Sequence, residues 1–262
     1  MRAALRKWRT LLAVHYAYML EYRAEIFLWA LTGILPFILM GVWMQAGEQG
    51  QFPLSSIQFA QYFLAVFVVR QFTGVWVIWE FEYEVVQGRL SPWLLQPLDP
   101  IWRYLARHGG ERLARLPFLI VIVALFFLLY PQALWTPKSS VIDLGLAAIV
   151  AAFALRFAIQ YTFAMLAFWT ERAHATEDLF FLFFLFLSGY VAPLEVFPDI
   201  VRQITIFTPF PYMVYFPARL LLGQETHVLR GFAVTFVWTA VFILLNRWAW
   251  RKGLKRYSAM GA

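Results

Sequence analysis

Two arginines stand inside long apolar segments, where a charged side chain is least expected: Arg70 and Arg156. A charge at the centre of a lipid bilayer costs from about 2.5 to more than 10 kcal/mol, so such a side chain faces a cavity, a partner or a bundle interior. Gln71 and Gln160 add polar surface nearby. Either the pair lines a path for an anionic or amphipathic molecule, or it makes structural hydrogen bonds between helices or lies closer to a membrane interface.

A cluster of acidic residues follows the first of these segments: Glu80, Glu82 and Glu84. The cluster fits a docking surface for a soluble partner, or simply a solvated helix end. The next residues read VQGRLSPWLLQPLDP, in which Gly88 and Pro92 interrupt regular structure. A short helix here would present apolar side chains that the membrane surface or another protein must cover. These side chains are Leu90, Trp93, Leu94 and Leu95.

Motifs for catalysis and metal binding are missing from the sequence. It has no G-x-x-x-x-G-K-[ST] loop for nucleotide phosphates, no H-E-x-x-H and no G-x-S-x-G. Cysteine is absent, which excludes disulfides and thiolate metal sites. The four histidines are scattered without metal-ligand spacing: His15, His108, His174 and His227. The sequence therefore predicts no catalytic residue, no metal site and no cofactor bound by this chain.

The composition is that of a membrane protein. The 262 residues are 62% hydrophobic and 14% charged, against about 45–50% and about 25% in soluble globular domains. One small core cannot bury so much apolar surface, so much of the chain must face lipid. In a soluble protein the net charge of +7 would suggest nucleic acid. Here the basic residues follow a membrane topology, and no nucleic-acid partner is predicted.

Six apolar segments predict an all-α polytopic membrane protein, with residues 1–262 forming a single transmembrane domain. The predicted spans lie near 24–45, 58–80, 111–131, 141–170, from 179 onward, and 229–248. The segments between them include a broken stretch at 81–106 and a charged turn at 171–178. Residues 189–223 are rich in proline yet largely apolar, which favours short helices that enter the membrane and return.

The first 23 residues predict an amphipathic helix in the headgroup plane of the membrane. Its apolar face follows helical spacing and consists of Leu5, Trp8, Leu12, Tyr16 and Met19. The opposite face carries Arg2, Arg6 and Arg9. The segment is too charged, and lacks the early apolar stretch, for a cleaved signal peptide.

The distribution of lysine and arginine predicts that both termini are cytoplasmic. With an internal N-terminus, 16 of the 22 basic residues fall on the inner side, in 1–23, 81–115, 171–178 and the basic tail 247–262. Four fall outside: Lys138, Arg202, Arg219 and Arg230. An excess of positive charge on one side is the usual mark of the cytoplasmic face.

A stand-alone secondary carrier or channel is the alternative function. Such a carrier needs carboxylates within the membrane to couple protons or sodium. The acids of this chain cluster at segment ends and in loops, and the two halves show no internal repeat, which also disfavours an inverted-repeat transporter.

The whole chain resembles the membrane subunit of a type-2 ABC exporter, the ABC-2-type permease family. The resemblance is strongest in YRAEIFLWALTGILP (22–36), EVVQGRLSPWLLQPLDPIWRYLA (84–106) and LSGYVAPLEVFPDIVRQI with PFPYMVYFPARLLLG (187–223). It implies a subunit of the bacterial cytoplasmic membrane that has no nucleotide site of its own. ATP and Mg would be bound by a separate ABC ATPase, in two copies, beside a second permease that is identical or homologous.

The resemblance also assigns roles to segments. The loop 81–106 would hold a coupling helix that docks on the ATPase, and 189–223 would cap the outer side. The implied docking residues are Glu82, Glu84, Gln87, Gly88, Arg89 and Leu90. The apolar spans suit a lipid or a hydrophobic or amphipathic small molecule as substrate.

Overall fold

A computed structural model describes residues 2–22, 24–25, 27–28, 33–50 and 52–257, with side chains from residue 6 onward. Within these ranges the chain is helical and contains no strand. The helices are α1 (Arg2–Glu21), α2 (Leu35–Glu48), α3 (Ser56–Thr73), α4 (Val77–Val86), α5 (Ser91–Leu94), α6 (Ile101–Leu129), α7 (Ser139–Ala164), α8 (Ala175–Leu187), α9 (Asp199–Thr205), α10 (Tyr215–Leu221) and α11 (Val228–Leu254). Short 3₁₀ turns lie at Pro131–Ala133, Met165–Phe168, Leu194–Val196 and Phe210–Met213.

Four helical segments in the described part of the chain are long and apolar enough to cross a membrane: Ser56–Val86, Ile101–Leu129, Ser139–Phe168 and Val228–Leu254. They coincide with the second, third, fourth and last predicted spans. The predicted first span, 24–45, falls partly on residues outside the description, and only α2 of it is seen. The predicted fifth span corresponds to α8, which has 13 residues. The count of six spans therefore stays a prediction.

Helix α3 forms the centre of the bundle. Three of its phenylalanines, Phe59, Phe63 and Phe67, recur every four residues and are fully buried. Helices α2, α6, α7 and α10 all pack against it. In the most apolar window of Ser56–Val86, 67% of the residues are buried, but only 11% in Val228–Leu254. The outer helix α11 therefore presents most of its apolar surface outward, as expected of a helix that faces lipid.

Helix α1 packs along α6, and its predicted place in the headgroup plane stays a prediction. Trp8 stacks edge-on against Trp102 of α6, with ring centroids 6.0 Å apart. A Cβ on Gly110 would lie 2.9 Å from the backbone nitrogen of Tyr16, so the glycine permits close approach of the two helices. A helical apolar stripe needs an apolar partner, and here a neighbouring helix of the same chain supplies it.

Residues 81–106 are more ordered than a broken loop, because α4 runs through Val86 and α6 begins at Ile101. The chain breaks earlier instead, at residues 74–76 between α3 and α4. The charged turn predicted at 171–178 is also shorter, because α8 begins at Ala175 and its first turn carries Glu177 and Asp178.

The proline-rich stretch 189–223 folds into the predicted short helical pieces, α9, α10 and two 3₁₀ turns. It is tied to the bundle by side chains of other helices. Tyr62 donates a 2.6 Å hydrogen bond to the carbonyl of Gly189, and Trp43 donates one of 2.8 Å to Val191. Whether the stretch enters the membrane stays a prediction.

Candidate functional site

Arg70 of α3 and Arg156 of α7 are brought together around one phenylalanine. Their guanidinium carbons lie 5.1 Å and 4.1 Å from the centre of the Phe184 ring. Arg70 also lies 5.0 Å from the ring of Tyr190. Contacts between guanidinium groups and aromatic faces are favourable and gain strength when water is excluded. The two arginines that are 86 positions apart in sequence therefore belong to one site.

The counter-charge of this site is Glu177. Its Oε1 is 3.5 Å from Nη2 of Arg156, and both side chains are 4% exposed. At that distance the hydrogen bond is at the limit of a useful contact. Nε and Nη1 of Arg156 are buried without a hydrogen-bond partner, as are the same atoms of Arg70.

A cavity of about 700 Å³ opens beside the two arginines. Its walls carry charged and aromatic side chains together, a mixture typical of sites for amphipathic molecules. The lining residues are Tyr18, Met19, Tyr22, Glu25, Arg70, Val75, Trp76, Trp79, Glu80, Arg107, Glu111, Arg156, Glu177 and Phe181.

Further ion pairs neutralise part of the charge around the cavity. Arg107 binds Glu80 at 3.1 Å, and Arg115 binds Glu111 one helical turn away on α6. The sequence analysis singled out neither Glu111 nor Glu177. The spacing of four residues between Glu111 and Arg115 was a usable signal, since such pairs meet on one helix face.

The break between α3 and α4 lies against the cavity and is held from α6. Arg112 donates hydrogen bonds of 2.5 Å to the carbonyl oxygens of Phe72 and Gly74. His108 accepts a hydrogen bond of 3.3 Å from the backbone nitrogen of Trp76 and stacks on its ring. These side chains satisfy backbone groups that the end of a helix leaves without partners. The break thus has a defined conformation that side chains of α6 stabilise.

Two of the proposed docking residues, Glu82 and Glu84, have partners within the chain. Glu84 accepts hydrogen bonds from Arg103 and, at 2.5 Å, from the Tyr104 hydroxyl. Glu82 accepts from the backbone nitrogen of His174 and contacts its ring nitrogen Nδ1, both at 2.7 Å. Both glutamates therefore fix the loop to the rest of the molecule. Their role toward a partner stays a prediction.

The other four proposed docking residues form the turn between α4 and α5. Gly88 has a φ of 68°, a left-handed conformation that glycine adopts without strain. Leu90 is fully buried, so it supports the turn from inside and its surface is covered by its own chain. Gln87 and Arg89 are exposed. They are the members of this set that another protein could reach directly.

Within the ranges that the structure describes, no three His, Asp or Glu side chains are grouped to hold a metal ion. The charged groups at the cavity pair with one another or line it. What the arrangement offers chemically is binding: guanidinium donors beside an aromatic wall, inside a helix bundle.

Comparison with known proteins gives one family. A family model described as "ABC-2 family transporter protein" matches residues 27–261. A comparison with curated proteins gave no match. The family match covers both arginines, ten of the fourteen cavity-lining residues, the α3–α4 break and the turn at Gly88.

Proposed function

The chain belongs to the ABC-2 family of transporter proteins, and from this membership we propose that it is the permease subunit of an ATP-driven exporter. The family resemblance seen in the sequence is thereby confirmed. Members of this family are membrane components of transporters and are not themselves catalytic. In the proposed assembly, two copies of a separate ABC ATPase bind ATP and Mg. A second permease, identical or homologous, completes the pathway.

The proposed topology has six spans with both termini in the cytoplasm of a bacterial cell. Helix α2 with the residues before it forms the first span, and α8 with the stretch that follows it forms the fifth. This arrangement keeps the basic tail 247–262 and the turn at Gly88 on the inner side, as the distribution of positive charge favours.

The observation that carries the proposal is the link from the cavity to the exposed turn. Helix α4 begins at the break beside the cavity and ends at the turn that exposes Gln87 and Arg89. A force applied by an ATPase at this turn would act on a short helix whose other end, at Trp76, is held by His108. Rigid helices joined at a break can shift between two packings. ATP binding would favour one of the two packings.

The proposed substrate is a lipid or another hydrophobic or amphipathic small molecule, and Arg70 and Arg156 lie on its path. The cavity supports this choice because apolar and charged side chains share its walls. A soluble polar substrate would leave the aromatic residues Trp79 and Phe181 without a partner.

A stand-alone carrier is the second candidate, and one observation favours it. Glu111 and Glu177 are 6% and 3% exposed and lie in the helix bundle, although the sequence placed the acids at segment ends. Buried carboxylates of this kind can couple proton movement to transport. This candidate predicts transport that depends on a proton gradient and needs no ATPase.

Purification of the tagged chain from its native membranes, followed by mass spectrometry, tests the proposal. We expect a co-purifying protein with a Walker A motif, and ATP hydrolysis that elutes with the chain and is lost when that motif is mutated. A second, different permease in the sample would identify a heterodimer. If the intact chain instead elutes without an ATPase, and its reconstituted vesicles transport on a proton gradient alone, the carrier is the correct assignment.

A further inference from the structure

We propose that Arg70 and Arg156 together bind the acidic headgroup, a phosphate or carboxylate, of an amphipathic molecule whose apolar chain lies along Trp79 and Phe181. This inference rests on the proposed function only in treating that molecule as the transported one. The site itself follows from charge, from unpaired donors and from the shape of the cavity.

The charge balance of the buried part of the site leaves one positive charge. Arg107 is offset by Glu80 at 3.1 Å, and Arg115 by its neighbour Glu111. Two guanidiniums, those of Arg70 and Arg156, then remain against the single carboxylate of Glu177. Glu25 also lines the cavity, but it is exposed and is not counted in this buried set. A bound anion would neutralise the excess.

The two arginines also have unused hydrogen-bond donors. Nε and Nη1 of each are buried without an acceptor, and leaving a buried charged donor unpaired is costly. Arg156 is 3% exposed, so bulk water does not replace the missing partners. A phosphate or carboxylate supplies several acceptor atoms at once and matches the planar guanidinium group. Phe184 contacts both guanidiniums from the side.

The rest of the cavity suits an apolar chain. Trp79 and Phe181 line it and are 43% and 40% exposed, although both are large apolar residues. Val75 and Met19 add further apolar surface. The cavity of about 700 Å³ is within the range of about 300–1,000 Å³ found for small-molecule sites. A molecule with an acidic group at one end and an apolar chain at the other would match the arginines and the aromatic wall of this cavity.

Calorimetric titration of the purified full chain in a neutral detergent tests the site. The probe is dodecyl phosphate, compared with inorganic phosphate, dodecanol and dodecyltrimethylammonium. We expect saturable binding of dodecyl phosphate, and at least about tenfold weaker binding by each of the other three. Binding needs no ATPase, so a missing ATPase partner would overturn the permease proposal and leave this site standing.

Variants connect the binding to the two arginines. Arg70→Gln should lower the affinity for dodecyl phosphate by about tenfold or more, since a charge-assisted contact is lost. Arg156→Gln alone would leave Glu177 buried and unpaired, so it is combined with Glu177→Gln to keep the charge balance. The double variant should also bind at least about tenfold more weakly. The matched control Lys138→Gln, at an exposed position, should bind like the wild type.

Four results would contradict the inference. Equal binding of dodecanol and dodecyl phosphate would show an apolar groove without a headgroup site. Tighter binding of dodecyltrimethylammonium would assign the site to the glutamates and a cation. Wild-type affinity in Arg70→Gln, with unchanged thermal unfolding, would place the ligand elsewhere. Equal binding of inorganic phosphate would contradict the amphipathic part of the proposal.

Discussion

Arg112 and Gly74 are joined by a hydrogen bond of 2.5 Å from the guanidinium to the carbonyl oxygen, where α3 ends. A second bond of 2.5 Å goes to Phe72, so one side chain of α6 binds two carbonyl oxygens at the end of α3. The break therefore has a defined geometry, set by a residue 38 positions later in the chain. Because His108 of α6 also binds the backbone nitrogen of Trp76, α6 contacts both sides of the break.

Replacing Arg112 with lysine should weaken the contact between α6 and the end of α3. Lysine keeps the charge, but its single ammonium group cannot bridge two carbonyl oxygens in fixed planar geometry. We expect a loss of about 2–4 kcal/mol in stability, since charge-assisted hydrogen bonds contribute about 1.5–3 kcal/mol each. Thermal unfolding of the purified chain measures it, with exposed Arg230→Lys as the control. An unchanged unfolding temperature in Arg112→Lys would mean that the bonds do not hold the break.

Gly110→Ala should release α1 from α6. Alanine normally stabilises a helix by up to about 1 kcal/mol relative to glycine. Here the new Cβ would lie 2.9 Å and 3.0 Å from backbone atoms of Tyr16 and His15, so α1 must move away. Limited trypsin digestion should then cut more quickly at Arg6 and Arg9. Gly41→Ala is the matched control, because no atom lies within 4 Å of its added Cβ. Equal cleavage in both variants would refute the packing.

The docking of α1 should weaken in acid. Burial, followed by the charges of Arg107 and Arg103, lowers the pKa of His15 below its ordinary 6.5. Released α1 therefore binds a proton more readily than docked α1, and docking loses stability as pH falls below about 6.5. Trypsin cleavage at Arg9, corrected for the enzyme's own pH dependence, should rise between about pH 7.5 and about pH 5.5. His15→Gln should flatten this rise, and a rise of the same size in that variant would exclude His15 as its cause.

Residues of the turn at Gly88 should divide into those that contact a partner and those that stabilise the turn. Arg89→Glu changes an exposed side chain, so we expect less co-purified ATPase with an unchanged unfolding temperature. Glu84→Lys should lower the unfolding temperature itself, by the equivalent of about 3–5 kcal/mol, because it leaves Arg103 and Tyr104 without their partner. Mass spectrometry and thermal unfolding on the same preparations separate the two effects. If as much ATPase co-purifies with Arg89→Glu as with the wild type, the docking surface lies elsewhere.

Much of the helical architecture could be predicted from local composition. The spans carried by α6, α7 and α11 are long and apolar, and length and composition suffice to find such helices. The break at residues 74–76 could not be found in this way, because it is stabilised by His108 and Arg112 from a different helix. The packing of the apolar face of α1 against α6 could not be predicted from the sequence either. An amphipathic pattern states that a partner exists, and a membrane surface and a neighbouring helix satisfy it equally.

The candidate site was predictable only in part. Arg70 and Arg156 stood out because charges are rare in apolar segments, and the structure places them around one ring. Their counter-charge Glu177 was hidden in a short charged stretch that looked solvated. Glu82 and Glu84 likewise looked like surface residues in the sequence. In the structure, Glu84 pairs with the nearby Arg103 and Glu82 with the distant His174. Pairing of buried charges is decided by tertiary contacts, which a single sequence does not contain.

The contact between Glu82 and His174 connects α4 to the helix that carries Glu177. His174 directly precedes α8, and Glu177, the counter-charge of Arg156, lies in the first turn of that helix. A shift of α4 that moved Glu82 would therefore act on the residue that precedes the helix of Glu177. Free energies of binding are reciprocal: if a partner on the turn changes the affinity of the cavity by some factor, an occupied cavity changes the affinity for that partner by the same factor. In the proposed transporter, an occupied cavity would thus change the affinity for the ATPase by the same factor by which the bound ATPase changes the affinity of the cavity.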